Sequence, residues 1–281
     1  MNRSTSFQQS GMTHLPPLQT AEQLLASVPW RFVVSPAMDG ASNMAWDEAA
    51  MEHAGTSGEG ILRIYSWARP TLSLGRNQRA RGVYDRELAR ASGVDVVRRP
   101  TGGRALLHWR EITYSAAVPL AGLAPRNWYA AISALLLRAL HSLGVPATLA
   151  GPGPRLEPPG SAPCFERPAP GEIVIEGRKL VGSALRAHKR SLLQHGSILI
   201  HDDQAWVARL ATAPVGQIVP AATLFDALGR EPESGEIAAA LLDALRSAGA
   251  SARALEPDAA LLGLADRARS RYADPGWTWR L

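Results

Sequence analysis

Cys164 and Lys179 are the residues whose chemistry most constrains this sequence. Cys164 is the chain's single cysteine and stands in SAPCFERPAP. Pro163, Pro168 and Pro170 favour a surface or cleft-edge segment, and the neighbouring Arg167 favours the thiolate. Such a thiolate can accept an acyl group as a thioester, which divides transfer between two carriers into two easier steps. The competing reading is the ordinary one for a free cysteine, a small buried hydrophobe. Lys179 stands out by usage, because among the 30 basic residues only Lys179 and Lys189 are lysines. Arginine cannot replace lysine where a compact ammonium, or an amine that loses its proton, is required. That group can polarise an acyl carbonyl and stabilise the oxyanion formed on attack. The same argument applies to Lys189, so residue usage alone does not choose between them.

A second constellation is Arg98 to His108, RRPTGGRALLH. The pair Gly102-Gly103 permits close backbone approach to a ligand, and its amides can receive a carbonyl or phosphate oxygen; an ordinary turn is the alternative. The segment lacks the GK[ST] of a P-loop and the GxGxxG of a dinucleotide site. His108, His195, His201 and Cys164 show no tight ligand spacing, so no metal site is expected. A Ser/His/Asp hydrolase is unsupported for want of a GxSxG elbow.

These groups need a scaffold. The sequence predicts helices over Ala21–Ser27, Gly40–His53, Trp128–Leu143 and Glu236–Ala248. In the third, Ile132, Leu135, Leu136, Ala139, Leu140 and Leu143 recur at helical spacing. Strands are expected at Ile61–Trp67, Val94–Arg98, Ile112–Val118 and Gly196–Ile200. Glu172–Glu176 and Lys179–Ser183 read as a hairpin, with Gly177-Arg178 as a type II′ turn. Helices and strands intermingle without βαβ alternation, which predicts an α+β fold with a mixed sheet. Residues 1–29 read as an N-terminal arm and residues 30–281 as a single domain. No apolar run reaches the roughly 18 residues of a membrane span, and the N-terminus lacks a secretory h-region. With one cysteine, this predicts a soluble cytoplasmic protein without an internal disulfide. The net charge of +5 comes from scattered arginines without interleaved aromatics. It suits an acidic protein partner better than nucleic acid.

Three segments together resemble the biotin/lipoate protein ligase superfamily, in its lipoate ligase and octanoyltransferase branch. They are NMAWDEA with LRIYSWARPTLSLGRNQ, VVRRPTGGRALLH with EITYSAAVP, and EGRKLVGSALRAHKRSLLQHGSILI. The terminal YADPGWTWR resembles the way these domains close. The resemblance implies a mixed or largely antiparallel sheet surrounded by helices. It implies an acyl pocket lined by Arg99, Thr101, Gly102, Gly103 and His108, with Lys179 at the acyl carbonyl. Ser183, Ala184, His195 and Gly196 fall in the second pocket motif, and Tyr65, Trp67 and Leu74 are expected to line an apolar tunnel. Trp109 departs from the family pattern and is expected to narrow that pocket or alter the donor.

Two further departures bear on the branch. Arg104 stands where ligases usually have a third glycine, and His108 lacks the following Gly-Asn. Cys164-Phe165 is similar to the nucleophile segment of the cysteine-dependent octanoyltransferases of Gram-positive bacteria. The resemblance therefore implies octanoyl transfer from acyl carrier protein, through Cys164, to a lysine of a lipoyl-domain protein such as the glycine-cleavage H protein. Thioester to amide is downhill, so no nucleotide or other cofactor is expected. The alternatives are an ATP-dependent lipoate ligase, an amidotransferase between lipoyl proteins, and a non-catalytic module that binds lipoyl groups.

Overall fold

The computed structural model describes residues 20–151, 168–214 and 219–281. Cys164 lies outside them. In chain order the elements begin with α1 (Ala21–Ala26), β1 (Trp30–Val34), α2 (Gly40–Ser57), β2 (Gly60–Tyr65) and β3 (Thr71–Leu74). Next come α3 (Arg86–Ala91), β4 (Asp95–Arg98), β5 (Leu106–His108), β6 (Glu111–Pro119), α4 (Pro125–Ser142) and β7 (Thr148–Leu149). The hairpin strands β8 (Ile173–Ile175), β9 (Arg178–His188) and β10 (Ser191–Leu199) follow. The chain then runs through α5 (Ala205–Arg209), α6 (Leu224–Leu228), α7 (Ser234–Ser247), β11 (Ala252–Ala254), α8 (Ala259–Ala273) and α9 (Pro275–Thr278).

Eight strands form one sheet in the order β11-β1-β2-β6-β10-β9-β8-β7. β1 runs parallel to both its neighbours, and the remaining pairs are antiparallel. A second sheet, β4-β3-β5, pairs β3 parallel to β4 and antiparallel to β5. This is the α+β class with a mixed sheet that residue patterning predicts.

The two faces of the large sheet differ in chemistry. On one, Leu62, Ile64, Tyr114, Ala116, Val118, Leu192 and Ile198 pack with Trp128, Ile132, Leu135 and Leu136 of α4 and with Ile237, Leu241 and Leu245 of α7. Each such large side chain contributes roughly 1.5–3 kcal/mol of burial. Leu24 and Leu25 of α1 join this core, so the last turn of the N-terminal arm packs on the domain. On the opposite face, Ala50, Met51 and Ala54 of α2 cover Ile61, Ala117 and Leu193 near one end of the strands. Farther along, the same period-2 positions become polar: Arg63 and Tyr65, then Glu111, Thr113 and Ser115, and His195 and Ser197, all buried. Strand register aligns them, with Ser115 opposite both Arg63 and His195.

The hairpin differs from expectation by one residue. Its turn is Glu176-Gly177, with φ of 50° and 75°, so both central residues are left-handed as in a type I′ turn. Pairing Ile175 with Arg178 puts Arg178 in the strand rather than in the turn. Lys189 occupies the tip of the next hairpin, exposed and with φ of 52°.

The C-terminal segment closes over the small sheet. Buried Arg98 donates from Nε to the Thr278 carbonyl, and Trp277 Nε1 donates to the Arg98 carbonyl. The amides of Ala80 and Arg81 donate to the Leu281 carbonyl. Among the described residues no helix is long and apolar enough to cross a membrane.

Candidate active site

A narrow cavity of about 40 Å³ opens between the polar end of the large sheet and the small sheet. Met44, Tyr65, Trp67, Leu106 and Ala184 supply much of its wall, with Gly103, Gly182 and Gly196 where backbone itself forms the surface. Ser73, Arg99, His108, Thr113, Ser183 and His195 complete it. A narrow, mainly apolar recess with a few convergent polar groups is the form of a small-ligand site.

Glycine is required where the walls close. A Cβ on Gly196 would come within 2.4 Å of the Gly182 carbonyl oxygen and 2.8 Å of the Tyr114 ring. A Cβ on Gly75 would meet the Gly103 oxygen at 1.9 Å, so the turn after β3 and the glycine loop after β4 touch through bare backbone.

That loop, Thr101 to Gly103, is held by its acceptors. The Thr101 carbonyl takes the Arg76 amide at 2.8 Å. Arg99 donates from Nε and Nη2 to the Gly102 carbonyl at 3.1 and 2.8 Å, and from Nη2 to the Arg104 carbonyl at 2.8 Å. Gly103 has φ of 94°. The amides of Gly102 and Gly103 donate to no partner among the described residues, and both glycines are exposed.

Two buried histidines flank the loop. His195 Nδ1 donates to Asp47 Oδ2 at 2.7 Å, and its Nε2 meets Thr101 Oγ1 at 2.6 Å. Asp47, on α2, also accepts from Tyr65 Oη at 2.8 Å and from Arg63 Nη1 at 3.0 Å. Arg63 stacks over the Tyr65 ring at 3.8 Å and donates to Asn43 Oδ1 and Ser35 Oγ. Burial by itself would raise the Asp47 pKa. Its hydrogen bond and charge contact with His195, helped by Arg63 and Tyr65, outweigh burial and hold the carboxyl below its ordinary range.

His108 is placed differently. Its ring stacks on Trp67 at 4.0 Å, Nδ1 faces Glu111 Oε1 at 3.2 Å and Nε2 meets Ser73 Oγ at 2.8 Å. Burial lowers its pKa, and the opposing pull of Glu111 does not restore it, so this imidazole is neutral at neutral pH. Nδ1–H then donates to Glu111, and Nε2 accepts from Ser73. Glu111 is further tied to Thr113 and Ser197, and Ser73 Oγ accepts from Arg99 Nη1 at 3.1 Å.

Lys179 is the second residue of β9 and is buried, with Nζ 2.8 Å from Glu172 Oε1. It is not part of the cavity wall, although Gly182, Ser183 and Ala184 of the same strand are. Glu172 is fixed by accepting the Ala169 amide at 2.7 Å, just beyond the segment that carries Cys164.

The structure therefore brings Arg99, Gly103, His108, Ser183, Ala184, His195 and Gly196 to one cavity. Thr101 lies behind the wall as the hydrogen-bond partner of His195, and Gly102 stands exposed beside it. Arg99 lines the site, but its guanidinium is engaged with the carbonyls of Ser73, Gly102 and Arg104. Leu74 does not line the tunnel, since alternation along β3 turns it into a separate core with Leu72, Ala105 and Leu107 and turns Ser73 inward. Trp109 is 42% exposed in the turn between β5 and β6 and narrows nothing. Asp47, Glu111 and Ser73 are additions that motif reading missed. For Glu111 and Ser73 the signal was present as polar residues at alternate positions of β6 and β3, and for Asp47 as a carboxylate within the Ala- and Met-rich α2. Among the described residues, no group of three His, Cys, Asp or Glu side chains is arranged to hold a metal ion.

Known proteins are similar to this chain in sequence or in fold. The octanoyltransferase LipM of Kyrpidia tusciae is 45% identical over 184 residues, covering 62% of this chain and 67% of that protein. The octanoyltransferase LipM of Symbiobacterium thermophilum is 38% identical over 219 residues, covering 72% and 79%. Among solved structures, the putative lipoate protein ligase of Thermoplasma acidophilum with bound lipoic acid superposes with a TM-score of 0.74 at 19% identity, covering 90% of this chain and 99% of that one. A lipoate-protein ligase A bound with ATP gives 0.76 at the same identity and coverage. The lipoyl protein ligase A/B catalytic domain family matches residues 39–246, which take in the cavity, the glycine loop and Lys179 alike, and the chain belongs to that family.

Proposed function

We propose that this protein transfers an octanoyl group from an acyl carrier protein thioester to a lysine of a lipoyl domain, as a step of lipoate biosynthesis. The observation that carries this reading is the glycine loop at the cavity wall, with its carbonyls tied back and two amides unclaimed. Free, fixed amides beside an apolar recess suit a substrate whose hydrocarbon tail is buried and whose carbonyl oxygen gains charge. The names borne by the 38–45% identical relatives support the same acyl group and reaction class.

In this mechanism the Cys164 thiolate adds to the thioester carbonyl, and the carbon–oxygen π pair moves onto oxygen. The glycine-loop amides and the Lys179 ammonium stabilise that oxyanion until it collapses and expels the carrier's thiolate. The acceptor's neutral amine then attacks the acyl-enzyme; the amide bond forms, the carbon–sulfur bond breaks, and the amine's surplus proton leaves to solvent. Glu172 supplies the counter-charge that keeps Lys179 in place between turnovers.

The test is incubation with octanoyl-acyl carrier protein, without and with a lipoyl domain, read by intact mass. Wild type should gain one octanoyl group, pass it to the domain without ATP, and lose both steps in Cys164→Ala. An adduct of equal yield in Cys164→Ala would remove the covalent route. Transfer that occurs only from free octanoate with ATP would replace the reading with a ligase.

A further inference from the structure

The glycine loop is gripped at consecutive residues by two carboxylate–imidazole chains. One runs from Asp47 through His195 to the Thr101 hydroxyl. The other runs from Glu111 through His108 and Ser73 to Arg99, which holds the Gly102 carbonyl. The first starts on α2 and passes through β10 of the large sheet; the second starts on β6 of that sheet and crosses to the small sheet at β5 and β3.

Such a chain has a defined polarity. At the neutral His108, committing Nδ1–H to Glu111 leaves Nε2 as an acceptor, so the Ser73 hydroxyl donates; at His195 Nδ1–H is committed to Asp47 and Nε2 faces the Thr101 hydroxyl. At His195 the carboxylate is itself anchored by Arg63 and Tyr65, and every member of the chain is buried. His195 borders the cavity but Asp47 and Thr101 do not, so these two reach substrate only through what they position. Its far end is the residue immediately before Gly102-Gly103, whose amides are unclaimed. A shift of about 1 Å in donors of this kind is enough to cost on the order of 10²-fold in rate.

We propose that Asp47 is a positioning residue for acyl transfer, acting through His195 and Thr101 to fix the glycine-loop amides against the reacting carbonyl. This rests on the acyl-transfer reading above and adds to it a residue on α2. No bond to Asp47, His195 or Thr101 forms or breaks in the reaction. What they set is the direction of the two amides when the carbonyl oxygen takes up charge.

The experiment measures kcat and KM for octanoyl transfer, together with Tm, in Asp47→Asn, His195→Gln, Thr101→Val and Thr101→Ser. Thr101→Val removes the hydroxyl at constant shape and should lower kcat about 10²-fold. KM for the octanoyl donor should stay within about threefold, because the cavity walls are intact. Thr101→Ser restores a hydroxyl and should recover most of the rate. Asp47→Asn and His195→Gln should follow Thr101→Val. Asp47→Asn also deprives buried Arg63 of its counter-charge; if it fails to fold, Thr101→Val against Thr101→Ser decides, since both keep that pair. A Thr101→Val enzyme with kcat near wild type, or with a loss confined to KM or tracking Tm, overturns the inference. Failure of the wild type to transfer octanoyl at all would overturn the functional reading itself, and is distinguishable because it precedes any variant.

Discussion

Lys179 and Glu172 meet at 2.8 Å with both side chains almost wholly buried. A lysine so placed is part of the structure as well as of the chemistry. Removing one member of a buried pair leaves an uncompensated charge and costs roughly 3–5 kcal/mol. Lys179→Ala is therefore expected to lower the stability measured by urea unfolding by about 3 kcal/mol while abolishing octanoyl transfer. Lys179→Arg separates the two effects. It keeps the positive charge and most of the stability, but its planar fork cannot replace a compact ammonium, so kcat should still fall about 10²-fold. Wild-type transfer by Lys179→Arg would reduce Lys179 to a structural cation.

The backbone contact between Gly75 and Gly103 gives a second prediction. A methyl at residue 75 would stand 1.9 Å from the Gly103 oxygen, and no side-chain movement relieves a clash with backbone. Gly75→Ala should therefore displace the glycine loop and lose at least 10²-fold in transfer. Gly102→Ala is the contrast, because nothing lies within 4 Å of its Cβ position and its φ is not left-handed. Its stability should remain within about 0.5 kcal/mol of wild type by urea unfolding. Equal stability and activity in both variants would mean that the contact does not shape the site.

Much of this site was legible before the fold was. Period-2 and helical spacing locate β2, β6, α4 and α7; α2 is found from its Ala, Met and Glu content, and β10, which starts at Ser191, is found only from Gly196 onward. The short strands β1, β3, β5 and β11 lack that length, and α8 carries only Leu261, Ala265 and Tyr272 as buried residues among many charges. The hairpin turn was displaced because Glu176 adopts a left-handed φ that its residue type disfavours. The pocket motifs named the wall residues Gly103, His108, His195 and Gly196, since those are set locally. Asp47 was missed because its role exists only where α2 meets His195, far off in sequence, and Glu111 because the turn that folds it back onto His108 carries no motif of its own. Leu74 was misplaced because one residue of strand alternation decides which face a side chain joins, and Trp109 because the chain turns between β5 and β6 and leaves it exposed.

Chain length should be set at the wall rather than by chemistry. Ala184 borders the cavity from β9 and is only half-buried, so a larger residue there costs the fold little. Ala184→Leu fills part of the recess and should shift preference from octanoyl toward butyryl or hexanoyl donors. At about 0.8 kcal/mol per buried methylene, displacing two to four methylenes changes the octanoyl-to-hexanoyl ratio in kcat/KM by at least tenfold. Competition between mixed acyl carrier thioesters, read as product masses, checks this. An unchanged ratio would place the acyl chain elsewhere.

The buried histidine and aspartate give stability a defined pH dependence. His108 has a folded pKa below the ordinary 6.5 because burial disfavours the imidazolium. The unfolded chain therefore takes up its proton first, and its contribution, complete above about pH 6.5, declines as pH falls below that value. Asp47 is likewise depressed below 3.8, so its contribution is complete above that pH and is lost as pH falls through the folded value. Urea midpoints measured from pH 8 to pH 3 should fall in two stages, the first beginning near pH 6.5 and the second near pH 4. His188 is also depressed, by partial burial and then by Arg186 and Lys189, but it is exposed, so added salt screens most of its share. His108→Gln should flatten the first stage at high salt and leave the second. A wild-type midpoint that is constant from pH 8 to pH 5 would show that the His108 imidazole can charge in the fold, which its neutral role between Glu111 and Ser73 does not allow.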